Sequence, residues 1–107
     1  MNDLRPINAQ DSDWLFRLYI AGQTPKSLAA LANLYRICDE HLSGKYQIEV
    51  IDLLEAHQLA EQDGIVAIPT LVRKMPEPVR RLIGNLSDTP KVLNQLGIYP
   101  GGLLRSV

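Results

Sequence analysis

The segment Thr24-Pro25-Lys26-Ser27 sets two hydroxyl side chains three positions apart, the spacing at which two thiols would form a redox couple. Dithiol exchange needs a thiolate to attack and a second sulfur to resolve the mixed disulfide. Thr24 and Ser27 have neither a thiol nor an accessible pKa, so this spacing carries no redox step. The sulfur nucleophile that remains is Cys38, the single cysteine of the 107-residue chain. It falls on an apolar helical stripe with Leu31 and Leu42, which predicts a buried, inert thiol. One cysteine cannot close an internal disulfide, in keeping with a cytoplasmic protein. His41 and His57 stand sixteen residues apart with no cysteine or carboxylate constellation at metal-ligand spacing. No metal site and no cofactor are expected, and both histidines are read as solvated surface groups.

Charge offers a different chemistry. Arg73-Lys74 and Arg80-Arg81 flank Met75-Pro76-Glu77-Pro78, and a turn there would gather four cations at one sheet end, with Glu77 offsetting one. Two readings stand: a solvated basic edge that blunts strand pairing, or a docking patch for an acidic surface of a partner, where charge chiefly raises the association rate. Nucleic acid is not expected, because the patch lacks interleaved aromatics and the rest of the chain is acidic. A formal charge of -1 and a pI near 6.1 give no general drive toward nucleic acid or anionic membrane. No span approaches transmembrane length. Met1 to Trp14, with Asp3, Asp11 and Asp13, resembles neither a secretory signal nor an anchor.

The elements that must position these groups follow from pattern. With 46% hydrophobic and 21% charged residues, the chain suits one domain with one core. Residues 1–13 read as a mobile arm, 14–98 as the domain and 99–107 as a fraying tail. Trp14–Ile20 is a nearly continuous apolar run, as a central strand requires, broken by Arg17. Thr24 suits an N-cap with Pro25 at the first helical position. Leu28, Leu31, Leu34 or Tyr35, Cys38 and Leu42 recur at helical spacing, and Gly44 sits where a left-handed cap belongs. Tyr46–Ile51 reads as a second strand, parallel to the first across the helix. Gln58–Asp63 reads as a short helix ended by Gly64, and Ile65–Val72 as a strand around Pro69. Pro76 and Pro78 mark a turn, Val79–Ile83 an antiparallel strand, and Asp88–Leu96 a last helix capped by Ser87 or Asp88. The order β-α-β-α-β-β-α describes an α/β domain.

Ala67-Ile68-Pro69-Thr70-Leu71-Val72 followed by Leu82-Ile83-Gly84-Asn85-Leu86-Ser87 resembles the proline edge of thioredoxin-like domains. Pro69 is then expected cis beside the first helix, the other reading being a trans proline at a strand edge. Leu18 occupies the place of the thioredoxins' proton-shuttling aspartate, and Thr24-Pro25-Lys26-Ser27 that of their two cysteines. This loop is either a vestigial catalytic surface turned to recognition or simply a cap and first turn.

Together with Leu18 to Ser27, Val50-Ile51-Asp52-Leu53, Gln58-Leu59-Ala60-Glu61, Pro78-Val79-Arg80-Arg81-Leu82-Ile83-Gly84 and Leu86-Ser87-Asp88, these pieces resemble the KaiB family of circadian clock proteins from about Phe16 to Leu96. The resemblance implies a non-enzymatic regulator that binds the ring ATPase KaiC, sequesters KaiA, and displaces or engages a sensor histidine kinase. It also implies two folds: a thioredoxin-like, partner-competent state, and a tetramer in which the chain from about Ile51 rearranges. Thr24, Pro25, Pro69, Pro76, Pro78 and Gly84 are the expected fold-determining positions, with Lys26, Arg73, Lys74, Arg80 and Arg81 the candidate partner contacts. A dimer or tetramer is expected. Ala29, Glu49 and Gly64 stand where the clock proteins carry basic residues, and Asn94–Pro100 departs from the family's ending. Both favour a homologue outside the core clock, paired with a divergent KaiC in stress adaptation. Gly97 and Pro100 are poor strand residues, so the thioredoxin-like state is expected to predominate. A kinase adaptor and a redox-responsive thioredoxin-like protein are the alternatives, the latter lacking its thiols.

Overall fold

A computed structural model describes residues 13–98. The expected arm, apart from Asp13, and the expected tail lie outside those residues. The elements are β1 (Trp14–Ile20), α1 (Pro25–His41), β2 (Tyr46–Asp52), α2 (His57–Asp63), β3 (Thr70–Met75), β4 (Arg80–Ile83) and α3 (Thr89–Leu96). They form a four-stranded sheet in the order β2-β1-β3-β4. β1 runs parallel to β2 and antiparallel to β3, and β3 runs antiparallel to β4.

The alternation of β1 divides the molecule. Phe16, Leu18 and Ile20 enter one core with Ala30, Leu34, Ile37 and Cys38 of α1 and Val92 and Leu96 of α3. Arg17 and Tyr19 bond instead to residues of α2, so β1 is covered on both faces, as its sequence suggested. The Thr24 hydroxyl accepts the Ser27 N–H at 3.2 Å, with Pro25 opening α1. Asp88 caps α3 by accepting the Lys91 N–H at 3.3 Å, and Gly97 at φ 73 closes it. Residues 91–96 are therefore helical. The Ile68-Pro69, Met75-Pro76 and Glu77-Pro78 bonds are all cis.

Three expectations are corrected. The strand expected from Ile65 begins at Thr70; Pro69 has no N–H for a ladder, and the Thr70 hydroxyl turns back to the Ala67 carbonyl at 2.6 Å. The buried face of α1 is Ser27, Ala30, Leu34, Ile37 and Cys38, while Leu28 and Tyr35 are 48% and 42% exposed. The helix ends at His41, with the Leu42 N–H donating to the Cys38 carbonyl. Ser43 is left-handed ahead of Gly44, which itself takes the expected left-handed conformation at φ 78.

Candidate functional site

The loops after β1 and β2 meet at one end of the sheet. The Gly22 and Leu54 N–H groups both donate to Asp52 Oδ1, at 3.1 and 3.0 Å. Gly22 has φ +71, and a Cβ there would stand 3.2 Å from the Leu54 side chain, so a side chain would be both strained and crowded. The loop before β3 reaches the same end, since Thr70 pairs with Tyr19. Gly84 joins it by donating its N–H to the Pro69 carbonyl at 3.0 Å.

At this end Ser27 is buried, its hydroxyl oxygen without a hydrogen-bond partner, and Thr24 is occupied as a cap. Leu18 is fully buried beneath. Gln23, Thr24, Pro25 and Lys26 are exposed at the start of α1, and the loops after β2 and before β3 expose the apolar Leu54 and Val66, 73% and 91%.

The four cations read as one patch do not stay together. Strand alternation and the β3–β4 register, Arg73 opposite Arg80 and Val72 opposite Arg81, send Arg73 and Arg80 to one face and Lys74 and Arg81 to the other. Arg73 is only 5% exposed. One Nη donates to the Leu96 carbonyl at the end of α3, the other to the Pro78 carbonyl at 2.6 Å. The guanidinium lies 5.8 Å from the Trp14 ring centre. Burial, with some repulsion from Arg80, lowers its pKa. Arg73 thus caps a helix and ties down a turn. Lys74 is bound to Asp63 at 2.6 Å, and Arg81 donates through Nε to the Asp63 carbonyl at 3.1 Å. Arg80 and the far side of Arg81 are what the proline turn leaves to solvent.

Asp63, which pattern reading passed over, is the centre of the second face. Its carboxylate accepts from the Tyr19 hydroxyl at 2.6 Å, Arg17 at 3.3 Å and Lys74 at 2.6 Å. Arg17 also pairs with Glu49 at 3.0 Å. Burial alone would raise the Asp63 pKa, but the Lys74 and Tyr19 hydrogen bonds and the charges of Lys74 and Arg17 hold it below the usual carboxylate value. Burial, followed by Asp63, pushes the Tyr19 hydroxyl up. Arg17 was the available signal: a charge inside an apolar strand requires a partner.

Cys38 is fully buried, and burial, aided by the Asp39 charge, pushes its thiol up to about 12. His41 is not the solvated histidine expected: its side chain is largely covered, with Nδ1 buried and unpartnered. His57 opens α2.

A four-stranded sheet in the order β2-β1-β3-β4, with a cis proline ahead of β3 and helices on both faces of β1, defines a thioredoxin-like fold. Similarity in fold agrees. The chain superposes on the N-terminal domain of Synechococcus elongatus SasA with a TM-score of 0.68 at 24% identity, over 79% of this chain and 80% of that one. Mitochondrial thioredoxin 3 of Saccharomyces cerevisiae gives 0.63 at 16% identity, over 79% and 78%. The family model described as the KaiB domain matches residues 17–98, and the chain belongs to the KaiB family. It is 48% identical over 89 residues to circadian clock protein KaiB3 of Synechocystis sp., covering 83% of this chain and 87% of that protein. It is equally identical over 90 residues to circadian clock oscillator protein KaiB of Synechococcus elongatus, covering 84% and 88%.

Proposed function

We propose that this protein is a non-enzymatic KaiB-type regulator that docks on a KaiC-like ring ATPase, in circadian timing or a related stress-adaptation system. The observation that carries the reading is the end of the sheet where thioredoxins keep their thiols. There Thr24 serves as a helix cap and Ser27 is buried, while Lys26 and the apolar Leu54 and Val66 of the neighbouring loops are exposed. Large apolar side chains isolated from the core at one end of a small domain suit a protein partner. Arg80 and Arg81 supply charge that speeds encounter with an acidic surface. The thioredoxin-like arrangement is the partner-competent one in this reading, and the protein's ground state is a dimer or tetramer. Action is in the cytoplasm. No helix among the described residues is long and apolar enough to cross a membrane.

The test is co-elution of the purified chain with the KaiC-like ATPase of its own source, followed by light scattering with ATP and with ADP. A stable complex whose amount depends on the nucleotide supports the reading. Two separate peaks under both conditions, or insulin reduction above background by the chain alone, overturns it. A second reading, an adaptor that competes with a sensor histidine kinase or binds a KaiA-like protein, is favoured by the shared fold with the SasA domain. Displacement of such a domain from the ATPase distinguishes it.

A further inference from the structure

β4 ends the sheet, and its outer edge is open: among the described residues, the backbone hydrogen bonds of Arg80–Ile83 all run to β3. Beside that edge the 84–88 loop and α3 leave a groove of about 450 Å³, whose lining includes Ile83, Leu86 and Val92. Ile83 is 64% exposed. Two cations line it, Arg81 on the strand and Lys91 on α3, and the exposed Arg80 precedes Arg81 along the same edge. The carboxylate in the lining, Asp88, is engaged as the cap of α3.

An open edge templates another extended chain, and two consecutive arginines in a four-residue strand select which. A second copy pairing through β4 in parallel, or antiparallel about Arg80 or Arg81, would set arginine against arginine, and like charges across a ladder destabilise it. The opposite free edge, β2, is poorly suited as the occupant, because its Glu49 and Asp52 already serve Arg17, Gly22 and Leu54 within the chain. The complementary occupant is an acidic segment of a different protein.

We propose that the outer edge of β4 receives an extended acidic segment of a partner as a fifth strand. On the face of α3 its carboxylates lie against Arg80 and Lys91, and on the opposite face its apolar side chains pack on Ile83. The site is specified by edge, charge and groove alone and goes beyond the ATPase reading, whichever protein supplies the segment.

The test titrates the full, ¹⁵N-labelled chain with an acetylated, amidated heptapeptide of alternating glutamate and valine. Saturable amide shifts and slowed exchange across Arg80–Ile83, with shifts at Lys91 and Gln95, are expected. The same peptide N-methylated at alternate residues keeps its charge but cannot form a ladder, and binds about tenfold more weakly or less. A lysine–valine counterpart gives no shifts at β4. Arg80→Glu, a substitution at an exposed side chain, weakens the glutamate peptide by about tenfold. Equal binding of the N-methylated peptide reduces the edge to a charged surface and overturns the proposal. Shifts centred on Tyr46–Asp52, self-association through β4, or no saturable binding overturn it as well. The peptide contains no ATPase, so its failure and the failure of the co-elution experiment are read separately.

Discussion

Tyr19 and Asp63, forty-four residues apart, are joined by a 2.6 Å hydrogen bond that fastens the end of α2 to the centre of the sheet. Of the residues of α2 whose burial is described, Gln58, Glu61 and Gln62 are exposed and Leu59 is half-buried, leaving Asp63 as the buried one. Among the described side chains, the polar clasp of Asp63 is what ties this helix to the sheet.

The first prediction concerns that clasp. Asp63→Asn removes the charge that Arg17 and Lys74 answer, and the expected loss is about 1–3 kcal/mol, discounted because both cations are partly solvated. The Asp63 carboxyl titrates below its unfolded value, so the folded state binds fewer protons. Its contribution is fully present above about pH 4 and is lost as pH falls through the lower folded value. Urea denaturation of both proteins between pH 7 and pH 2.5 checks this. The gap between them should narrow only toward the acid end, and a gap that persists unchanged at pH 2.5 would refute the assignment.

A second prediction separates Arg73 from the surface cations. Arg73→Met keeps an unbranched stem over Trp14 but removes the donors to Leu96 and Pro78, leaving two carbonyls to find other partners. A loss of about 2–4 kcal/mol is expected, together with faster amide exchange at the end of α3. Association with a partner, measured on the folded fraction, should keep its rate, because the guanidinium is covered. A slowed association with unchanged stability would return Arg73 to the docking patch.

What could be read in the sequence was mostly local. Thr24 and Pro25 sit at the start of the helix, and the Trp14–Ile20 run declares its burial by composition, so β1 and the start of α1 stand as expected. Ile65–Pro69 has strand-like residues, but the proline's missing donor delays the ladder to Thr70. Arg73 was misplaced because its acceptors are backbone carbonyls of Leu96 and Pro78, to which any sequence could contribute. The period of two along β3 and β4 did contain the signal that splits the four cations between faces. Asp63 meets partners from β1 and β3 that only tertiary assembly brings near, so nothing in its own helix marked it.

Cys38 gives the third prediction. A thiol fully buried in the core and pushed up to about 12 is almost wholly protonated at pH 8 and is reached only when the structure opens. Modification by a disulfide reagent should be slower in the native protein than in urea by at least about a hundredfold. The native rate should follow global stability across destabilising variants. Rapid native labelling would show that α1 opens without the rest of the fold.

The last prediction returns to the cations that remain outside. Arg80 is exposed, and Arg81 gives only its Nε to the Asp63 carbonyl, so their charges act mainly on approaching molecules. Changing both to Glu should cost at most about 1–2 kcal/mol of stability, chiefly through Arg81. Binding to a KaiC-like ATPase should slow in association by about tenfold at low salt, with dissociation nearly constant. Added salt should slow the parent protein toward the variant, because screening removes the same attraction beyond a Debye length of about 10 Å at 0.1 M. Stopped-flow association at several ionic strengths provides the check. If parent and variant associate at the same rate in low salt, these arginines take no part in docking and serve only to blunt the edge of β4.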